Sequence, residues 1–597
     1  MSEEWWWPRY GLWIVGEPSD DPRVSNGLRV YGVNLGRSVN PGDLISVSGR
    51  VAEYRAAYRP NDLLLTEIER PTRIHVHSSG HTVKPVVLGK DRVPPIAPLS
   101  AFDTGADGWL SVPNNVTLLE AHNRTLEPEK YGLDFWESLE GQLVTIESPT
   151  AVNFPDMFGS FWAHGGWPVL GKNGRGGVSL MFGPDGKPVA HSEAILIGKP
   201  IDGTRNPRTT VGMNLTSITG VLAYQFGFYS ILPLTAPEIV SAPETEPRPA
   251  SLHLNDDPCE LTIGDYNVEN MSPRSHHIPK IADHIANYLH TPDIVFVQEI
   301  SDDSGAADNG VVSANKTLAA LTKAIAQASG GVHYEFINIP PENNMDGGKP
   351  GSNIRVAYLW RPEKVSLVPG SHIGKATEAT EVVKNSEGRL SLSLNPGRIE
   401  PSSIAWEETR KPLAAAWQTT SEQYFYTVNV HFSSKRDSSS THGDARPPVN
   451  GHSERRALQV NVTANFVDSI LALDGNASVI VGGDMNEFVQ ARSIFKAFDR
   501  TLYDINDVAD VAPTERYTYV YEQHMQEIDQ LFVSDAVARR GADVEHVHVN
   551  TWAASVRERA SDHDPTVARV RVCDTPRGRI EPLVDQQFHG AQIPIVY

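Results

Sequence analysis

The sequence predicts a multidomain protein, two β-barrel-like modules followed by a layered α/β domain, and three observations carry that prediction. At 597 residues the chain is too long for one hydrophobic core and calls for roughly two to four domains. Its N-terminal part alternates short apolar runs with Gly, Pro, Asn and Asp, the punctuation of short strands and turns. Beyond a proline-rich stretch, apolar strands alternate with helical patterns, and strand after strand ends in a carboxylate, an amide or an imidazole.

Residues 1–85 form the first expected module. Leu12–Val15, Leu28–Val33, Leu44–Arg55, Leu63–Ile68 and Arg73–His77 read as strands, and five is a small barrel's number. Residues 95–235 form the second, in which 141–234 repeat the style. Ser46-Val-Ser-Gly-Arg-Val-Ala52 is echoed by Ser217-Ile-Thr-Gly-Val-Leu-Ala223, as related modules would be. An OB-like (oligonucleotide/oligosaccharide-binding) fold is the expectation for both, and such barrels often stack bases on aromatic side chains. Aromatics stand at Trp5 to Trp7, Phe161, Trp162, Trp167 and Tyr224 to Tyr229. Little basic charge is interleaved with them, so core packing and domain docking is the favoured reading. Residues 236–258, with five prolines between Pro237 and Pro258, read as a semi-extended linker.

Residues 259–575 are the α/β domain and 576–597 a tail. Val479-Ile-Val-Gly-Gly-Asp-Met-Asn486 organises this half: a β-branched run without alternation is a strand covered on both faces, and two glycines are expected to turn the backbone sharply. Asp484 and Asn486 are delivered at its end. Leu261–Glu269 brings Asn267 and Glu269, Pro292–Glu299 brings Glu299, and Tyr426–Phe432 brings His431. Glu527–Val533 carries Asp529, and Ser561-Asp562-His563-Asp564-Pro565 precedes a last strand from Thr566. Segments 278–289, 314–328 and 453–473 have apolar residues at helical spacing.

The formal charge of −21, from 52 basic and 73 acidic residues, argues against a general polyanion-coating protein, since phosphate affinity comes from clustered Lys and Arg. It leaves room for a nuclease with a local basic rim and bound cations. No run of 18 apolar residues occurs, so no membrane span is expected.

The ordered set of polar strand ends resembles the endonuclease/exonuclease/phosphatase superfamily, the fold of deoxyribonuclease I and the abasic-site endonucleases. It is closest to large secreted bacterial and fungal members with β-rich modules ahead of the catalytic domain. Gly347-Gly-Lys-Pro-Gly-Ser-Asn353-Ile-Arg355-Val-Ala-Tyr358, Arg410-Lys-Pro-Leu413 and Gly443-Asp-Ala-Arg-Pro-Pro-Val-Asn450 are similar to that subgroup. The resemblance implies a deoxyribonuclease I-like four-layer α/β sandwich over 259–575. It also implies a divalent-metal-dependent phosphodiester hydrolase, first of all an extracellular endonuclease on DNA, with RNA a further substrate.

Phosphodiester hydrolysis needs an activated water, charge stabilisation on the phosphoryl oxygens and help for the leaving alkoxide. Hard oxygen ligands select Mg²⁺ or Mn²⁺, with Ca²⁺ a further candidate. As the family pattern implies, Glu299 is the first metal ligand, with Asp562, Asn267 and Glu269 nearby. Asp484 would orient the water, Asn486 would hold a phosphoryl oxygen, and His563 would be the acid/base, steered by Asp529 through an imidazole hydrogen bond. His431 would sit across the phosphate. Arg355, Arg410, Lys435 and Arg446 are the candidate phosphate contacts. The last two belong to a Gly/Ser/Pro-rich loop with Arg436, Arg455 and Arg456 around it, where basic groups could follow a polyanion. The deoxyribonuclease-like members support the second histidine with a glutamate, and this sequence offers none that can be placed there.

Met-Ser-Glu-Glu-Trp-Trp-Trp lacks a signal peptide's features. Seven Asn-x-Ser/Thr sequons, at Asn115, Asn123, Asn214, Asn270, Asn315, Asn461 and Asn476, suit a secreted glycoprotein. The two cysteines, Cys259 and Cys573, flank the first and last strands. If those strands pair antiparallel, as the resemblance implies, a disulfide joins the domain's ends, for about 4–5 kcal/mol at most in the chain-entropy model. Two other functions compete: a phosphatase or lipid phosphodiesterase with the same residues and another rim, acting on a nucleotide, an inositol phosphate or sphingomyelin, and a non-catalytic adhesion protein. A calcineurin-like metalloenzyme needs Gly-Asp-x-x-Asp and Gly-Asn-His, whereas Asp484 is followed by Met-Asn-Glu-Phe. No protein partner can be inferred.

Overall fold

The structure, a computed structural model, describes residues 11–573 apart from 33–34, 36–38, 104–109, 111, 113–114, 118, 120–123, 184–185, 187, 244–245 and 253–256. Trp5 to Trp7, Asn123 and the 576–597 tail therefore lie outside the described residues.

The first unit is a four-stranded sheet of β1 (Gly11–Val15), β2 (Gly27–Tyr31), β3 (Leu44–Tyr54) and β4 (Leu65–Ser78), in the order β1-β2-β4-β3. The runs Leu63–Ile68 and Arg73–His77, expected as two strands, belong to the single strand β4. Its pairing with β3 slips between Ser48 and Arg50, and Arg70 is left-handed at φ 49° just before Pro71. The irregularity breaks the alternation that the sequence reading relied on. The core here is small: Val30, Leu65 and Ile68 are its buried apolar residues among those described.

The second unit, from Val86 to Ser241, is a nine-stranded mixed sheet between the edge strands Ile239–Ser241 and Val86–Leu88. Both sheets run between two edges, and neither has the five strands expected of an OB-like barrel. The two echoing heptapeptides fall largely on strands, in β3 and in Ile218–Gln225. Trp136, Phe161, Leu222 and Ile231 anchor a core that the first unit lacks. Phe161, Trp162, Trp167, Tyr224 and Tyr229 are all buried.

The α/β domain holds a six-stranded and a seven-stranded sheet. One runs Glu335–Ile337, β7 (Arg355–Trp360), β6 (Ile294–Ile300), β5 (Glu260–Met271), β14 (Thr566–Arg571), Ala542–His546. The other runs Val365–Leu367, β8 (Leu413–Thr419), β9 (Tyr424–His431), β10 (Val479–Asp484), β13 (Asp529–Ser534), Leu502–Asp504, with Gly397–Arg398 paired to β8. Ile263, Phe296, Trp417, Ile480 and Leu531 share one core cluster that joins the two sheets. A second cluster packs β5, β6 and β7 against α1 (Ile278–Asp283) and α2 (Asn315–Ala328), and a third packs β9 and β10 against α3 (Ser453–Leu473). The run 278–289 is helical throughout, with a wider π-type turn at His284–Tyr288.

The glycines of the central strand do not end it. β10 continues through both to Asp484. A Cβ on Gly482 would lie 2.2 Å from Leu531 Cδ2 and 3.2 Å from Phe296, so this glycine lets the sheets close. Gly483 sits at φ +131° with Val430 O 2.1 Å from its would-be Cβ. Together they bring the strand's tip close to both neighbours.

Cys259 and Cys573 are disulfide-bonded with their Cα atoms 5.2 Å apart, because β5 and β14 pair antiparallel from Glu260–Arg571 onward. The proline-rich stretch is tied down rather than loose. Ile239 and Ser241 pair with Leu215 and Asn214, and Ala250 and Leu252 are buried in the α/β domain, Ala250 N donating to Tyr288 O at 2.8 Å.

A polar seam joins the second unit to the α/β domain. Residues 178–180 add a strand-like segment to the hairpin of β11 (Tyr519–Tyr521) and β12 (His524–Gln526): Leu180 N donates to Met525 O and Met525 N to Val178 O, both at 2.8 Å. Buried Asp103 and Arg446 form an ion pair at 2.5 Å. Tyr224 donates to Asp444. The buried rings of His191 and His524 meet at 4.6 Å, and His442 Nε2 donates to His191 O at 3.1 Å.

Candidate active site

Register gathers the site. His431, Asp484 and Asp529 are direct cross-strand partners on β9, β10 and β13, so three polar side chains form one row at the sheet's end. The facing sheet supplies Asn267 on β5 and Glu299 on β6. Asn267 Nδ2 joins the two rows, 3.0 Å from Asp484 Oδ2 and 3.3 Å from Glu299 Oε1. The His563 turn completes the ring: Ser561 Oγ donates to Asn267 O at 2.7 Å, and Asp564 accepts from Asn550 N and Thr551 N behind it.

His563 Nδ1 meets Asp529 Oδ2 at 2.7 Å, and Thr518 Oγ1 donates to the same oxygen at 2.6 Å. That fixes the ring with Nε2 toward the cleft, 3.9 Å from both Asp484 Oδ2 and Asp562 Oδ1. Burial opposes a charge on His563, but Asp529, Asp562 and Asp484 together raise its pKa well above the ordinary imidazole value. His431 is the opposite case: burial, with Arg410 and His563 nearby, pushes its pKa well down, and its Nε2 lies 3.3 Å from Asp484 Oδ2. Its Nδ1 is buried without a hydrogen-bond partner among the described residues, so no glutamate supports it.

The carboxylates are crowded. Burial, then the charge of Asp562, raises the pKa of both Glu299 and Glu269; burial, with Asp529 and Glu299, lifts Asp484 to about 7. Glu269, Asn270, Glu299 and Asn486 all adopt left-handed backbone, φ 48° to 59°, a conformation that non-glycine residues keep only when their surroundings impose it. Glu299 Oε2 accepts from Asn270 N at 2.8 Å. Glu299, His431 and Asp484 offer ligand atoms close enough to share one ion. A divalent cation among these acids would relieve their mutual repulsion, so the donor set fits Mg²⁺ or Mn²⁺. The second close group, Asp484, Asp529 and His563, is already committed to the histidine–aspartate hydrogen bond.

The cleft measures about 540 Å³ and is lined by Glu299, His431, Asp484, Asn486, Asp562 and His563, with Arg410, Lys435, Arg436 and Lys349 as its basic groups. Asn486 Nδ2 donates to Phe432 O at 3.2 Å. Arg410 Nη2 donates to Phe432 O at 2.6 Å, while its Nε has no partner among the described residues. Lys435 Nζ lies 2.7 Å from Glu487 and 4.0 Å from the Phe488 ring centre, and burial brings its pKa to about 7. Arg355 and Arg446 do not face the cleft. Arg355 is buried and donates to Asn353 O at 3.0 Å and Val312 O at 2.5 Å; Arg446 is held by Asp103, Thr441 O and Gly443 O. Both therefore serve the fold: Arg355 is spent on local carbonyls, and Arg446 on a buried acid and two carbonyls, with its Nη2 buried and without a partner among the described residues.

Sequence reasoning passed over Tyr519, whose ring centre is 4.9 Å from that of His563, and Glu487, which accepts from Lys435, Asn450 and Arg456 behind the cleft. Neither carries a local signal; Glu487 follows Asn486 but reads as a loop acid. The sequon residue Asn270 lines the cleft, where a glycan would fill it.

Residues 266–563 match the Endonuclease/Exonuclease/phosphatase family, and residues 87–244 match a domain of unknown function (DUF8508). No curated protein matches the chain. Among solved structures, D. rerio TDP2 humanized by 14 mutations is 16% identical over 52% of this chain and 99% of its own, with a TM-score of 0.33. An endonuclease/exonuclease/phosphatase from Bacteroides vulgatus is 16% identical over 52% and 99%, with a TM-score of 0.32. D. rerio TDP2 complexed with a single strand DNA product is 15% identical over 52% and 98%, with a TM-score of 0.33.

Proposed function

Because residues 266–563 belong to the endonuclease/exonuclease/phosphatase family, we propose that the protein is a divalent-metal-dependent phosphodiesterase, an extracellular endonuclease that cuts DNA. The observation that carries this reading is the His563–Asp529 pair at 2.7 Å with its Nε2 turned to Asp484 and Asp562. A bound Mg²⁺ or Mn²⁺ would neutralise phosphoryl charge and lower the pKa of water. Glu299 is the residue to hold it, with Asp562, Asn267 and Glu269 around it. Asp484 takes the proton of the attacking water. Asn486 and the cationic His563 donate to phosphoryl oxygens, the second also protonating the leaving oxygen. Neutral His431 faces the same space and donates from one ring nitrogen.

The Cys259–Cys573 disulfide favours an oxidising compartment. No helix among the described residues is long and apolar enough to cross a membrane. Arg410, Lys435, Arg436 and Lys349 give an otherwise acidic protein a basic cleft rim.

The test is nicking of supercoiled plasmid with Mg²⁺, beside EDTA-treated protein and the Asp484→Ala and His563→Ala variants. Cleavage should need the metal and fall about 10²–10⁴-fold in each variant, the span of general acid–base contributions. Folded protein that leaves plasmid, single-stranded DNA and RNA intact with either metal would refute the nuclease reading and turn attention to phosphomonoesters and phospholipids.

A further inference from the structure

Beside the cleft lies a second pocket of about 320 Å³, within the roughly 300–1,000 Å³ range of small-ligand sites. It is built across the seam. The second unit contributes Phe154, Trp162 and Phe228, and the α/β domain contributes Tyr521, Val556 and Arg559. We propose that this pocket receives a nucleobase of the same single strand whose phosphate is hydrolysed in the cleft, with Arg559 holding the phosphate between them. The proposal rests on the phosphodiesterase reading of the cleft.

Continuity comes first. Tyr521 lines both cavities and its residue is 55% exposed, so one accessible ring separates them. Arg559 makes no hydrogen bond or ion pair among the described residues. It lines the second pocket, and its charge reaches Tyr519 in the cleft lining. With Arg410, Lys435 and Arg436 in the cleft and Arg559 in the pocket, each cavity offers a cation to a backbone that passes from one to the other.

The walls suit a base rather than another phosphate. Aromatic faces bind any base by stacking, whereas Asp156 and Glu522 at the pocket's edge repel anions and can accept from exocyclic amino groups. A base seated here is turned out of any duplex, which selects a single strand. The pocket needs both units, so it assigns a role to the second one: it completes the substrate groove.

The test compares three substrates with Mg²⁺ or Mn²⁺: bis(p-nitrophenyl) phosphate, a deoxycytidine dinucleotide and a single-stranded hexadeoxycytidylate. Val556→Glu places a charge at an exposed rim position, and Phe154→Ala removes a wall. For both, kcat/KM on the hexanucleotide should fall by about 5- to 150-fold, the effect of losing one base–aromatic stack, while turnover of bis(p-nitrophenyl) phosphate stays at the wild-type rate and shows that the variants are folded. Hexanucleotide turnover unchanged in both variants would overturn the inference and leave the phosphodiesterase standing. Wild-type protein inert on bis(p-nitrophenyl) phosphate and on both oligonucleotides would instead remove the reading beneath it.

Discussion

The cleft and the seam are both buried, polar and rich in histidine, yet their charges are arranged in opposite ways. In the seam each charge has its complement: Arg446 has Asp103 and two carbonyls, and Asp444 has Tyr224. In the cleft, acids face acids. Asp562 raises the proton affinity of Glu299, and Asp529 and Glu299 raise that of Asp484. A matched polar cluster stabilises a fold, whereas a mismatched one holds its capacity for something that arrives later.

The contrast breaks most sharply at Arg446. Arg446→Ala strands Asp103 in a dry site, so unfolding free energy should fall by about 3–5 kcal/mol, as for other broken buried pairs; Arg446→Met with Asp103→Leu should recover much of it. Chemical denaturation of both variants measures this, and an Arg446→Ala protein as stable as wild type would show that the seam is not charge-matched.

Acid should loosen the seam next. Burial holds His191 and His442 at about 3 and His524 well below the ordinary value of 6.5. Above 6.5 folded and unfolded chains are both neutral at these rings. Below it the unfolded chain takes up protons that the fold refuses, so stability falls as pH drops from 6.5 toward 3, by about 1.4 kcal/mol per pH unit for each ring. Melting temperature against pH reads the effect, and His442→Gln should flatten the slope.

In the cleft the sign reverses. Glu299→Gln removes a carboxylate whose raised pKa marks it as destabilising at neutral pH, so the metal-stripped protein should gain about 1 kcal/mol while losing turnover and metal response. A melting curve in EDTA that drops would contradict the mismatch. The smallest effect is expected at Tyr224→Phe, which deletes one hydrogen bond to Asp444 while Leu63 N keeps its own bond to that carboxylate, and should cost about 0.5 kcal/mol.

The same contrast explains what could be read from the sequence. Asp484, Asn486, Glu299, His431 and His563 stand at strand ends, where apolar runs stop at polar residues, and register then brings them together. Arg446 and Arg355 were misplaced because residue type in a Gly- and Pro-rich loop cannot reveal that Asp103, 343 positions away, or the carbonyls of Val312 and Asn353 already occupy them. The single strand β4 was read as two because a bulge imitates a turn. Gly482 and Gly483 were read as a bend because the sequence does not show what Leu531 and Val430 leave no room for.

The bond between Cys259 and Cys573 makes the backbone from 259 to 573 a closed ring. A protease that cuts any one loop inside it severs the chain without releasing a fragment, and the two N-terminal units stay attached by the segment entering at Cys259. An enzyme working among extracellular proteases would thereby survive a first cut with its groove intact, and the cut would become visible as two polypeptides only after reduction.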